Sequence, residues 1–365
     1  MKIVFTLLLI LSTTQLFALE KLKYIGDVNL KTGEIYKETE LGGLSGLVYD
    51  QKNKKILAIS DDRSQKNPAR FYEFDIDISE KSFSIKPSSV ITLKDENNLV
   101  FKKNDIDFEG ITLINDTIYI SSEGSLKNNK PILPALFKFD RSGKKLASLE
   151  IPSKFLPSSD TKLINFGARD NLVFEALGSL PEKNLIFMGT EEALLQDGSV
   201  TTPTYASKTR IIIYKDEKVS KEVLYPLEQV PSVPVAGLSV GETGLVDFAV
   251  IDENTTYTLE RAFLPLVKKT FIKVFKVSGI NEATDISKID SVAKNKDIKL
   301  VNKELVLNMD EIVNSFSEGF KTTDNIEGIC FGPTLANGHK TLIVVSDNNF
   351  SGVQRTQFLA FEILP

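Results

Sequence analysis

The sequence predicts an all-β protein, a five-bladed β-propeller closed by pairing of its N- and C-terminal strands. Three observations predict it. A short motif recurs five times, beginning at Ser45, Glu109, Glu175, Thr243 and Glu327, at intervals of 64, 66, 68 and 84 residues. Each copy is followed by the same succession of apolar, alternating segments bounded by turn residues, the pattern of antiparallel strands. The last copy runs out of chain one strand early, while the first segment of the chain is a strand without a copy of its own.

In chain order, residues 1–18 have a lysine, an apolar run over residues 3–11 and a polar stretch ending at Phe17-Ala18, the layout of a secretory signal cleaved after Ala18. The apolar run is shorter than a comfortable membrane span, so a retained anchor is the less favoured alternative. Residues 19–365 read as one domain, because no linker rich in Pro, Gly or Ser divides them. KLKYIGDVNL, at 21–30, is the strand expected to close the ring. Each copy then has an inner strand, such as SGLVYD or EGITLI, and a second strand ending on an acid at Asp61, Glu123, Glu191, Glu260 or Asp347. Third strands follow: RFYEFDI, ALFKFD, RIIIYK, FIKVFKV and QFLAFEI. Four copies add a more polar outer strand: SVITL, KLASLEI, KEVLYPL and KELVLNM.

Five four-stranded sheets arranged radially leave few exposed edges, which is the physical advantage of closure. A six-bladed ring is the alternative, with a divergent blade hidden in residues 90–105 or 280–308. Residues 196–208 are expected to be a surface insertion, 294–299 a solvated charged run, and 308–320 a short amphipathic helix from the spacing of Met309, Ile312, Val313 and Phe316.

The inner strand of every propeller blade lines the central channel, so Ser45, Glu109, Glu175, Thr243 and Glu327 are expected to form a ring at its mouth. Carboxylates gathered in a narrow, partly dry space repel one another, and a hard cation relieves the repulsion. The ring offers only oxygen donors, which suit Ca2+ and argue against zinc or copper. A hydrogen-bonded, water-filled channel is the alternative. The net charge of −5 supplies no basic stripe, so neither nucleic acid nor, after leader cleavage, a membrane surface is expected as partner.

With the single histidine, His339, expected away from the mouth, neither a Ser-His-Asp triad nor a Cys-His pair is expected there, and the single cysteine, Cys330, excludes an intrachain disulfide. His339 lies in LANGHKTL, a turn expected on the face opposite the mouth, and Cys330 in the apolar GICFG. Any hydrolysis must then use carboxylates, cationic side chains and metal-bound water. Candidates for such a site are Asp61, Asp62, Glu123, Glu191, Glu260 and Asp347, with Arg63, Arg169 and Arg261 placed on or beside the same loops.

The stretches GGLSGLVYD, ILAISDDR, DFEGITL, IYISSEG, TGLVDFAV, YTLERAF, NIEGICFG and LIVVSDNNF resemble the phytase-like domain described as having esterase-like activity, over nearly all of residues 19–365. The order Ser, Glu, Glu, Thr, Glu around the ring is similar to that of the calcium-activated nucleotidases, five-bladed propellers with a central calcium, and Asp61-Asp62-Arg63 matches their DDR. The resemblance implies metal-dependent cleavage of phosphate esters or anhydrides, hence a small phosphorylated anionic substrate; the leader pattern implies the periplasm or the outside of the cell, and a monomer is expected. The aspartate motifs of true β-propeller phytases, DxDDPAxW and NNxDxR, are absent; Asp61-Asp62 and Asn348-Asn349 are fragments of them. The other reading is a non-catalytic propeller that binds a ligand or an envelope protein and holds a structural calcium.

Overall fold

In the computed structural model, described here for residues 21–125, 131–156, 166–232 and 240–365, five four-stranded antiparallel sheets form the blades of a ring. From the channel outwards, blade 1 comprises Leu44–Asp50, Lys55–Ser60, Arg70–Ile78 and Phe83–Thr92, and blade 2 comprises Phe108–Ile114, Thr117–Ser122, Ala135–Phe139 and Lys145–Leu149. Blade 3 is built from Phe174–Leu180, Leu185–Thr190, Lys208–Lys215 and Lys218–Pro226, and blade 4 from Glu242–Asp252, Thr255–Leu264, Lys269–Ser278 and Asn302–Asn308. Blade 5 takes Ile326–Phe331, Thr341–Ser346 and Thr356–Leu364 from the C-terminal end and Lys21–Leu30 from the N-terminal end. That closing strand pairs antiparallel with the last one from Lys21 opposite Leu364 to Leu30 opposite Thr356. The expected leader, residues 1–18, lies outside the described residues.

Both faces of each blade are covered, which is why the strands read as nearly continuous apolar runs. In blade 1, Leu57 and Ile59 pack toward blade 2 among Phe108, Ile111 and Ile120, while Ile56 and Ala58 pack toward blade 5 among Ile343, Val345 and Phe358. Among the described residues, five such apolar clusters fill the five spaces between neighbouring blades. Cys330 is buried in the one between blades 5 and 1. The innermost strands touch one another around the ring and enclose the channel.

Two local expectations are corrected and a third is refined. Residues 308–320 form two 3-10 turns, Met309–Glu311 and Val313–Ser315, with Met309 and Phe316 buried against blades 4 and 5, so apolar anchoring replaces a regular helix. Residues 196–208 form a surface loop, with Ser199, Val200, Thr204, Tyr205 and Lys208 exposed, that is anchored by buried Asp197, Thr201 and Ser207, Asp197 pairing with Arg210 at 2.6 Å. Neither stretch proposed for a sixth blade forms one. Residues 90–92 end the outer strand of blade 1, and the segment after Ser278 packs Ile286 and Val292 against Leu224. No helix among the described residues is long and apolar enough to cross a membrane.

Candidate metal centre at the channel mouth

Four inner strands carry a β-bulge at the same place. Leu44 pairs with Ser60 and Gly46 with Ile59, leaving Ser45 as the extra residue; Glu175 and Glu327 are extra in the same way, and Glu109 and Gly110 together oppose one residue in blade 2. A bulge twists the strand and re-aims one side chain, here at the channel mouth. The residue after the bulged one must be small because the next blade passes close by. A Cβ on Gly46 would meet the Glu109 carbonyl oxygen at 2.7 Å, and one on Gly110 would meet the Leu177 Cβ at 2.5 Å.

Blade 4 departs from the repeat. Its bulge lies at Val246, between Leu245 opposite Glu260 and Asp247 opposite Leu259, and Thr243 is paired regularly with Ala262. The structural counterpart of Ser45 and Glu109 is therefore Val246, and the counterpart of the acids that follow the second strands is Arg261 in place of Glu260. Glu260 accordingly points elsewhere, into a buried set formed by Lys303, Tyr225 (2.7 Å) and the Glu228 N–H (3.1 Å). Thr243 is buried with no hydrogen-bond partner on Oγ1.

Asp247 fills the position that is glycine or alanine in the other blades. It sits across the channel and accepts the backbone N–H of Ile329 at 2.7 Å, of Phe248 at 2.8 Å and of Leu177 at 3.3 Å, and the Leu47 N–H also bonds to it. Burial pushes its pKa well up and these donors pull it back. One carboxylate thereby satisfies inner-edge N–H groups from four blades, and in blades 1, 3 and 5 each donor lies two residues after a ring residue. Nothing in the strand alternation of TGLVDFAV distinguishes this aspartate from a residue facing a neighbouring blade.

Above Asp247 the structure brings together Asp61, Asp107, Glu109, Glu123, Glu175, Glu191, Glu327 and Asp347. Burial is the first cause of a raised pKa in each, and the neighbouring carboxylates add to it: Asp61 rises to about 8 beside Glu327 and Asp107, and Glu109 rises well above its usual range beside Glu175 and Asp107. Glu123, Glu175 and Asp347 rise likewise. Burial lifts Glu191 to about 7, with Arg261 opposing. Two guanidinium groups answer this charge. Arg63 ion-pairs with Asp107 and donates to Asn171 at 2.8 Å, and Arg261 lies 2.9 Å from Glu191 and 3.3 Å from Glu327.

Asp107 is the one member of this group that the repeat alone did not single out, although it stands two residues before Glu109, where strand alternation places it on the same side. Ser45 donates its hydroxyl to the Glu109 carbonyl at 2.8 Å, tying blade 1 to blade 2. The other candidates face away. Asp62 accepts from Arg70 at 2.8 Å and from the N–H groups of Gln65, Lys66 and Asn67, which hold it below the usual carboxylate range against the push of burial. Arg169 donates to the carbonyls of Ala193 (2.7 Å) and Gly198. His339 lies in the turn before Thr341–Ser346, with Nδ1 2.7 Å from Glu362. A cavity of about 670 Å3 opens on that opposite face between Asp50, Asn115, Glu182 and Lys340.

The donor set fits a hard cation. All eight groups offer oxygen, and buried Glu123 Oε2 and Asp61 Oδ1 have no partner of their own. Desolvated, unpaired carboxylate oxygens in such density call for protons or a metal.

Among solved structures, the endo-arabinase from Bacteroides thetaiotaomicron VPI-5482 shares 11% identity at a TM-score of 0.46, with 94% of this chain and 96% of that one covered. An exo-1,5-α-L-arabinanase from a bovine ruminal metagenomic library shares 11% at 0.41, covering 88% and 93%. The GH32 β-fructofuranosidase BmSUC1 of Bombyx mori shares 9% at 0.40, covering 88% and 60%. No curated protein matches the sequence. The phytase-like family model, described as "esterase-like activity of phytase", matches residues 39–350, and the chain belongs to that family.

Proposed function

We propose that this propeller is an exported, calcium-dependent hydrolase of phosphoric esters or anhydrides that takes a small anionic substrate at the channel mouth. The observation that carries this reading is the buried array of carboxylates flanked by Arg63 and Arg261. Glu109, Glu123, Glu175 and Glu191, with Asp107, are the residues that would hold the ion. A hard divalent cation held there would offset part of the array's charge and would supply a Lewis acid for a phosphoryl oxygen. Arg63, whose side chain is 29% exposed, is the guanidinium best placed to meet an entering phosphate. Asp61, half-buried with its Oδ1 enclosed and unpartnered, and pushed up to about 8 by desolvation and its acidic neighbours, is the carboxylate suited to hold or accept a proton close to neutral pH. Export follows from the leader pattern of residues 1–18, with the periplasm or the exterior as destination.

A second reading, a non-catalytic propeller with a structural ion, is favoured by two observations. Both arginines are already engaged with carboxylates, and a cavity of about 670 Å3 opens at the other end of the channel. The test is phosphate or alcohol release from nucleoside di- and triphosphates, phytate, p-nitrophenyl phosphate and a p-nitrophenyl carboxylic ester, with calcium and with chelator, for wild type and Glu109→Gln. The proposal expects calcium-dependent phosphate release that the variant loses. Turnover of the carboxylic ester alone, or none, sets it aside.

A further inference from the structure

The geometry points to a site for two divalent cations bridged by Glu123, in place of one ion on the channel axis; this inference rests on the reading of the mouth as a metal site. Two carboxylate triads meet at this residue. Asp107, Glu109 and Glu123 each bring an oxygen within 4.8 Å of the others, and so do Glu123, Glu175 and Glu191. Both belong to blades 2 and 3, so the ions lie to one side of the ring whose centre the repeat predicts.

Glu123 is built for a bridging role. It follows directly on the second strand of blade 2, Thr117–Ser122, and its Oε1 accepts the Val173 N–H of the segment entering blade 3 at 3.0 Å. That bond pins the carboxylate between the triads. Its Oε2 is buried and has no partner, an arrangement that costs free energy unless a cation or proton takes it up.

The charges agree. Eight carboxylates face two guanidinium groups, Arg63 beside Asp107 at one end of the array and Arg261 beside Glu191 at the other. One divalent cation leaves four negative charges unmatched, whereas two leave only two, which an entering substrate's own counter-ions or residual protons can offset. Calcium accepts oxygen ligands with loose geometry, so three carboxylates, carbonyls and water suffice for each ion. Two ions sharing one carboxylate offer two adjacent positions to the oxygens of one phosphate group.

Calorimetric titration of the chelator-treated, full-length mature protein with CaCl2 tests this without any assay of activity. Two calcium ions per chain are expected for wild type. Asp107→Asn and Glu175→Gln should each retain one, because each removes a ligand from a different triad, and Glu123→Gln should weaken both by at least about tenfold. Cooperative thermal melts establish that each variant is folded, and if Glu123→Gln is not, the other two decide. One ion in wild type, or two undiminished ions in both single-triad variants, overturns the bridged pair while leaving a metal site. No binding heat and no calcium-induced rise in melting temperature overturns the metal reading itself.

Discussion

Glu191 and Asp61 show how much the mouth costs when it holds only protons. Burial lifts them to about 7 and about 8 from the ordinary 4.5 and 3.8, so the folded protein retains protons that the unfolded chain has already released. The contribution of these two groups to the stability of the metal-free protein is therefore full below about pH 4 and falls as pH rises toward 8. Melts in chelator at pH 5, 6, 7 and 8 should show a declining transition temperature, and added calcium should flatten the decline; a rise with pH in chelator contradicts the assignment. A second prediction concerns Gly110. Its missing Cβ makes room for Leu177 and the Glu175 carbonyl, so Gly110→Ala should cost about 2 kcal/mol of unfolding free energy, read by denaturant titration. That glycine was visible in the sequence as part of a recurring Glu-Gly pair. Its reason, the close passage of the next blade, was not.

At the scale of the element, the five repeats were legible because strand alternation and the acid after the second strand recur together. The bulge that aims each ring residue leaves no mark on alternation, and this is where blade 4 misled. GETGLVDF presents Thr243-Gly244 in the guise of the motif, while the true bulge at Val246 resembles any buried apolar position. The true bulge lies three residues after Thr243, which puts Asp247 on the channel axis, and the acid position falls one residue after Glu260, which puts Arg261 among the acids. The same limit applies to residues 308–320, where apolar spacing marked the anchors Met309 and Phe316 and could not tell two 3-10 turns from one helix. Asp247→Asn keeps the shape of the side chain but sets an amide donor against N–H groups from other blades. It should lower stability by roughly 3 kcal/mol and loosen the backbone that follows Ser45, Glu175 and Glu327. Hydrogen exchange at Leu47, Leu177 and Ile329 reports this directly, and unchanged protection there refutes the clamp.

For the whole molecule, closure depends on Lys21–Leu30, which covers the edge of Thr356–Leu364. Deleting it should expose that edge and give an aggregating or non-cooperatively melting chain, seen by light scattering and calorimetry. His339→Ala, altered on the opposite face, should leave any hydrolytic activity intact. The central claim is that the buried carboxylates hold a calcium centre that acts on phosphate. One series measures it most directly: phosphate release and melting temperature recorded on the same samples of chelator-treated protein as calcium is restored. Turnover and thermal stabilisation should rise together over one range of calcium concentration. Stabilisation that saturates with no phosphate released from any nucleotide or phosphate ester would contradict it and leave the ion a structural tie between blades.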